Sequence, residues 1–252
     1  SKGNTFSNVR ISYIPAKDKW IVSFGIDDVF EPENHSDETM GIDVGARKMA
    51  VAAIGDEKLV FSNPNDDEEI KRLQEDLKFH QKNLSRKTVA TKKQNGDRYV
   101  VTSNIKKERK KIEKIHYRIA NIRKNAMHHA THELMEKYPK RIVIESLTVK
   151  DMLDKERLIE MGLDTNRDRK RFRKRIVEAN MYEFLRQIDY KSKRYGTELV
   201  KADKYYASSK TCSCCGYIKH DLGDAETYEC PECGLVIDRD YNAAINLRNY
   251  AA

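Results

Sequence analysis

Apolar residues fall into short β-like runs at both ends of the chain, and a long helical periodicity fills the interval between them. Residues 9–14 (VRISYI) and 20–26 (WIVSFGI) are rich in β-formers, and PAKDK at 15–19 between them reads as a hairpin connection. Residues 31–38 (EPENHSDE) are polar and read as a linker. From Thr39 a strand runs into GIDVG at 41–45. MAVAAI at 49–54 and KLVF at 58–61 complete a three-stranded meander, with Gly55-Asp56 as its second turn. Asn63, Pro64 and Asn65, followed by Asp66, Asp67, Glu68 and Glu69, open a helix, because capping side chains and acids both suit the positive end of the dipole. Ile70, Leu73 and Leu77 form its apolar stripe.

Ser103-Asn104 offers a cap for a second helix, on which Ile105, Ile112, Ile115, Ile119 and Ile122 recur at helical spacing. Running to Lys137, it would be about 50 Å long at roughly 1.5 Å per residue. Pro139 stops it, and RIVIE at 141–145 is a nearly continuous apolar strand of the kind buried in a sheet. Residues 151–178 read as irregular and strongly charged, a lid-like segment or a nucleic-acid contact. Asn180 with Glu183 resembles a capping box, Phe184, Leu185 and Ile188 make a stripe, and Gly196 ends that helix before a strand at 197–202. A last helix begins near Asp240 and packs through Ala243, Ala244 and Leu247. Strands alternating with helices place the chain in the α/β class.

Charge changes the picture of the helical interval. The chain of 252 residues carries a formal charge of +8 and has a pI near 9.1, which favours an anionic partner, nucleic acid before a membrane surface. No apolar run is long enough to span a bilayer and no secretory pattern opens the chain, so no membrane partner and a cytoplasmic location are expected. Residues 78–125 hold 16 Lys or Arg against 3 Asp or Glu. A charge run is ordinarily a solvated face, but one sign of charge in such excess repels itself unless an anion lies against it. Lys106, Lys107, Lys110, Lys111 and Lys114, with Arg169, Arg171 and Arg173 from the second basic cluster, are therefore the candidate phosphate contacts.

All five cysteines fall in the last quarter of the chain, as CSCCG at 212–216 and CPECG at 230–234, with fourteen residues between Cys215 and Cys230. Two Cys-x-x-Cys-Gly knuckles can present four thiolates, Cys212, Cys215, Cys230 and Cys233, to one structural zinc ion, and the interval accommodates a short hairpin. Cys214 is the spare. His128 and His132 stand at i, i+4 without a third ligand and read as surface or packing residues.

Three acids, Asp43, Glu145 and Asp240, stand at the ends of two short strands and the start of a helix. Each alone is an ordinary turn, strand-end or cap residue. Strand ends of like direction share one edge of an α/β sheet, so the three can meet. Carboxylates that meet need cations between them, and Mg²⁺, with its preference for hard oxygen ligands, suits them, as a pair of ions competent for phosphodiester hydrolysis.

In their order along the chain, GIDVG, RIVIES and SSKTCSCCG…CPECG…DRDYNAAINL closely resemble the C-terminal half of the transposon-encoded RNA-guided DNA endonucleases called TnpB, relatives of the type V CRISPR effectors. The resemblance runs from about Thr39 to the C-terminus. It implies an RNase H-like RuvC mixed sheet with a long helical insertion at about 66–137, a lid-like segment at 151–178 and an inserted zinc ribbon. The corresponding division is 1–38 as the closing hairpin of a β-rich wedge-like domain plus linker, 39–205 as nuclease core, 206–236 as zinc ribbon and 237–252 as final RuvC segment. Asp43, Glu145 and Asp240 match the family's three catalytic acids, which hold two Mg²⁺ ions, or Mn²⁺ in their place. DNA is the implied target and a guide RNA the implied partner, the latter through an N-terminal half that this chain largely lacks. Two other readings stay open: a catalytically idle or accessory nucleic-acid-binding fragment, and a DNA-rejoining transposase.

Overall fold

The computed structural model describes residues 6–26, 36–146, 153–160, 162, 165–203, 205–223 and 225–250. Most of the linker read over 31–38 and parts of the 151–178 segment lie outside the described residues. The chain divides into two compact units, Ser1–Val29 with Pro64–Ala126, and Phe30–Asn63 with Met127–Ala252.

In the first unit, β1 (Phe6–Ile14) and β2 (Lys19–Ile26) pair antiparallel as the expected hairpin. Lys17 N–H donates to the Ile14 carbonyl at the turn, and Asp18 adopts φ 55°. Helix α1 (Glu68–Gln94) is capped by Asp67, whose carboxylate accepts from the N–H groups of Glu69 and Ile70. Helix α2 (Ser103–Met135) begins earlier than expected, because Thr102 rather than Ser103 caps it: Thr102 Oγ1 accepts from Ile105 N–H at 3.3 Å and Ser103 is already helical. Few side chains of α1 are buried, and the two helices are tied by charge. Glu108, 6% exposed, meets His80 Nδ1 and Lys87 Nζ at 2.8 Å each, and Glu69 meets Arg118 at 2.8 Å. A buried acid paired on both oxygens offsets its own desolvation, which one left bare could not do.

The second unit is built on a five-stranded sheet in the order β5-β4-β3-β6-β7. Here β3 (Ser36–Val44), β4 (Lys48–Ile54) and β5 (Glu57–Ser62) form the antiparallel meander, while β6 (Pro139–Glu145) and β7 (Glu198–Ala202) add in parallel on the other side of β3. This mixed sheet is the RNase H-like arrangement expected. Residues 49–54 of β4 are buried throughout, as a strand covered on both faces must be. One face carries Met40, Ile42, Ile142 and Ile144 against Met127, Ala130 and Leu134 of α2 and Phe184 and Ile188 of a helix at Met181–Tyr195. Between those two helices Thr131 donates to Gln187 Oε1 at 3.0 Å and Lys191 donates to Thr131 at 2.6 Å, so buried Thr131 and Gln187 are satisfied.

The segment read as irregular contains two helices, α3 (Lys155–Glu160) and α4 (Asn166–Ala179), which makes Met181–Tyr195 α5. The charges that looked like loop chemistry are a helical surface: at the start of α4 Asp168 N–H donates to Thr165 Oγ1, the N-cap bond, and the Thr165 hydroxyl donates to the Asp168 carboxylate. The capping box expected at Asn180 does not form. Asn180 is left-handed at φ 50° with no side-chain cap bond, and Glu183 instead accepts from Arg186 and Gln187. Gly196 ends α5 at φ 68°, as its position indicated. A small hairpin of β8 (Thr227–Glu229) and β9 (Val236–Asp238) leads directly into α6 (Arg239–Arg248).

Candidate metal centres and catalytic face

The four knuckle cysteines come together. The sulfurs of Cys212, Cys215, Cys230 and Cys233 all lie within 4.8 Å of one another, with Cys212–Cys233 at 3.6 Å and Cys215–Cys230 at 3.5 Å. Four thiolates about 2.3 Å from one tetrahedral ion stand roughly 3.8 Å apart, so the set fits a zinc ion. The two knuckles are built alike. Gly216 N–H donates to the Cys212 carbonyl at 3.0 Å and Cys212 N–H to the Tyr217 carbonyl at 2.8 Å; Gly234 N–H donates to Cys230 at 3.1 Å and Cys230 N–H to Leu235 at 2.8 Å. Gly216 and Gly234 hold φ 77° and 72°, where a side chain would be strained. Buried Tyr228 donates to the carbonyls of Lys210 and Tyr217, tying the hairpin to the first knuckle. Cys214 is exposed.

The three acids share one face and one edge of the sheet. In the β3–β6 register Gly41 pairs with Val143 and Ile42 with Ile144, so Asp43 is level with Glu145 at the C-terminal ends of neighbouring parallel strands. Alternation puts Gly41, Asp43, Val143 and Glu145 on the face that α6 covers. Helix α6 lies so close to β3 that a Cβ at Gly41 would collide with the backbone of Ala244 and Arg248. Asp240 stands one turn before Ala244 on that same stripe, hence toward Asp43, which lies two residues beyond Gly41. The opposite stripe of α6 clamps the ribbon. Asn242 accepts from Ser213 N–H at 2.9 Å and donates to the Thr211 carbonyl at 2.7 Å, while Asn246 donates to the carbonyls of Ser208 and Thr211 at 2.7 and 2.6 Å.

Electrostatics register the convergence. The Asp43 carboxyl is held well above the ordinary range, first by burial and then by the charges of Glu145 and Asp240, against the opposing pull of Arg239 and Lys48. Glu145 is likewise raised by burial, with a hydrogen bond from Ser208 Oγ acting the other way. Lys48 Nζ bridges Asp238 at 2.6 Å and Asp240 at 3.2 Å, and Arg239 lies 3.6 Å from Asp240. Burial would lower the Lys48 pKa, but the two carboxylates outweigh it and raise it. Among the described residues, the cysteines are the one group of three or more metal-ligating side chains close enough to hold a single ion. The acids surround a wider space in which Lys48 already supplies positive charge to Asp240.

Sequence reasoning missed Lys48, Ser208 and Arg239, which carry no spacing signal. It also misplaced part of the basic surface. Lys106, Lys107, Lys110, Lys111 and Lys114 are all exposed on α2, and Arg171 on α4. Arg169, in contrast, is 8% exposed with its guanidinium donating to Asn166, and Arg173 donates to the Leu153 carbonyl, so these two brace their own segment. The i, i+4 histidines hold no metal-like geometry: His128 offers its carbonyl to Lys191, and His132 pairs with Glu136.

A family model described as "Probable transposase" (OrfB_IS605) matches residues 17–156, which is 140 of the 252 residues. The chain belongs to this family. A second model, the Cas12f1-like TNB domain, matches residues 182–247 of this TnpB-family chain, from α5 through α6. A Streptomyces pristinaespiralis protein named "Putative RNA-guided DNA endonuclease" is 29% identical over 91% of this chain and 49% of its own length. "TnpB-like protein L79" of Acanthamoeba polyphaga mimivirus is 34% identical over 57% of this chain and 26% of its own length. The chain therefore spans about half or less of the curated relatives it matches. A solved CRISPR-Cas12f ternary complex contains a chain that aligns over 92% of this one and 43% of itself, with a TM-score of 0.55 at 20% identity, a likeness of fold.

Proposed function

We propose that this TnpB-family chain is the nuclease core of a transposon-associated, RNA-guided DNA endonuclease. The observation that carries this reading is the placement of Asp43, Glu145 and Asp240 on one face at one sheet edge, by strand register and by the seating of α6 on Gly41. In this reading residues 39–205 and 237–252 form the RuvC-like core, 206–236 a zinc ribbon held by the four cysteines, and 1–38 belong with a neighbouring β-rich domain. Asp43, Glu145 and Asp240 would hold divalent cations, Mg²⁺ or Mn²⁺, and such ions supply the Lewis acidity that activates water and stabilises a leaving phosphate oxygen.

The chain's own residues prepare that chemistry. The raised carboxyls of Asp43 and Glu145 express first the cost of burying an acid and, for Asp43, also that of gathering acids, a cost that bound cations would offset. Ser208 fixes the rotation of Glu145, and Asn242 and Asn246 hold α6, and so Asp240, in place. The exposed lysines 106, 107, 110, 111 and 114 on one unit, and separately Arg171 on the other, are suited to contact phosphate backbones, of target DNA or of guide RNA. The cations Lys48 and Arg239 already set against Asp240 favour a second reading, an accessory nucleic-acid-binding role without cleavage.

Incubation of the chain with single-stranded DNA and Mg²⁺ or Mn²⁺, beside an Asp43→Ala control, separates the two. Cleavage by the parent at least about 10³-fold above the variant is expected, a loss of the size seen when catalytic groups are removed. Equal product from both would sink the nuclease reading, and nucleic-acid binding with a steep salt slope but no cleavage would establish the accessory one.

A further inference from the structure

We propose that a cavity of about 430 Å³ beside Glu145 seats one unpaired nucleotide of a DNA strand, with its base stacked on Tyr182 and its phosphate on Lys201. The volume lies within the roughly 300–1,000 Å³ typical of small-molecule sites. Its wall runs from the end of β6 to the first turns of α5 and the end of β7, and includes Ile144, Glu145, Ser146, Tyr182, Leu185 and Lys201.

Three features of that wall point to a nucleotide. The floor is apolar: Ile144 is buried, and Leu185 is half-buried. Tyr182 stands at the rim, 67% exposed, with no aromatic or hydrogen-bonding partner among the described residues. An exposed, unstacked ring over an apolar floor is the platform on which bases of single-stranded nucleic acid stack, and every base has a face to offer it. Lys201 sits opposite, paired in register with Ile144, and among the described residues it has no carboxylate within ion-pair distance.

The other charges of the wall are already committed. Arg186 donates to both oxygens of Glu183 at 2.8 Å, and Asp189 accepts from Lys193 at 2.8 Å. Among the described residues of the wall, Lys201 is therefore the cation free to take a phosphate. A duplex cannot fill such a site, because its bases are already stacked and paired. Ile144 and Lys201 lie on the face opposite the acids and Glu145 borders the cavity at the strand end, so a strand held there reaches the acids by continuing over the sheet edge. This last step rests on the nuclease reading; the binding itself does not.

The test uses the full chain with no added Mg²⁺ or Mn²⁺, so that the cysteine centre is undisturbed, and a short oligothymidine carrying one 2-aminopurine, followed by anisotropy and by quenching of the 2-aminopurine. Tyr182→Ala should weaken binding roughly fivefold or more and abolish part of the quenching, while Tyr182→Trp retains both. Lys201→Gln should weaken binding and flatten its salt dependence. Circular dichroism checks that each variant is folded. Unchanged binding and quenching in folded Tyr182→Ala, or no binding by the parent chain, would overturn the proposal. Cleavage by the parent with Mg²⁺ alongside Tyr182-independent binding removes the cavity assignment alone. Tyr182-dependent binding without any cleavage removes the nuclease reading alone.

Discussion

The cysteine centre and the acid face are both places where like-charged ligands gather, yet the chain builds them by opposite means. The cysteine centre is local: its ligands fall within 22 residues, two matching knuckles impose their geometry, and the four sulfurs already stand at the spacing of one tetrahedral ion. The acid face is assembled from β3, β6 and α6, across nearly 200 residues of sequence, and its carboxylates enclose a wider space in which Lys48 and Arg239 supply the counter-charge. A closed centre stores its energy in the fold, whereas an open one keeps its carboxylates available for ions and substrate. The two are mechanically joined, because Asn242 and Asn246 of α6 bind the backbone of the loop that carries Ser208 and the first knuckle.

That join makes the largest expected effect one that starts at the local centre and is read at the remote one. Cys230→Ser removes one of four ligands, so bound zinc should fall from about one per chain toward none, and the loop at 207–213 should lose its anchor. With it go the Ser208 bond to Glu145 and the seat of α6. DNA cleavage should drop to the level of Asp43→Ala, although Cys230 touches none of the three acids. Metal analysis and a cleavage assay on the same preparation check this; zinc lost with cleavage intact would show that the two centres are independent.

Much of this architecture was legible in the sequence because it is carried by local patterns. The strand ends at Asp43 and Glu145, the knuckles and the Gly196 stop all depend on neighbours a few residues away. What escaped depends on partners far along the chain. Gly41 reads as one residue of a strand running into 41–45, but its lack of a side chain is what admits the backbone of Ala244 and Arg248. Lys48 reads as a surface lysine until β9 and α6 bring Asp238 and Asp240 beside it. Arg169 reads as one more phosphate contact in a basic run, yet it is nearly buried against Asn166. Charge composition announces an anionic partner without saying which cations are spent inside the fold.

The acid face should also show in stability. Because the folded-state pKa of Asp43 is raised, the folded chain holds that proton more tightly than the unfolded one. The fold therefore loses stability as pH climbs from the unfolded value near 3.9 through the raised folded value, and carries the full penalty above it. Asp43→Asn has no such charge to bury. With no Mg²⁺ or Mn²⁺ added, near neutral pH it should melt higher than the parent, by about 2–4 °C for each kcal/mol recovered in a chain of this size, and the gap should close below about pH 4. Adding Mn²⁺ should raise the parent's melting temperature and leave the variant nearly unmoved, since an ion stabilises only the state that binds it. A variant that melts lower than the parent throughout would contradict the picture of an acid held at a cost.

The smallest effect separates the two centres most directly. Lys48 occupies the acid face as a built-in cation, and its ion pairs are about one-third exposed, so solvent screens them and each contributes little. An incoming divalent ion must nonetheless share Asp240 with that ammonium or displace it. Lys48→Met keeps the length of the side chain and removes the charge, so Mn²⁺ affinity measured by calorimetry should tighten roughly two- to fivefold, the equivalent of roughly 0.5–1 kcal/mol. Zinc content should not change, because Lys48 makes no contact with the knuckles and their ligands are already in place. If Mn²⁺ binding weakened instead, Lys48 would be holding Asp240 toward the ion rather than competing for it, and the acid face would be as preformed as the cysteine centre.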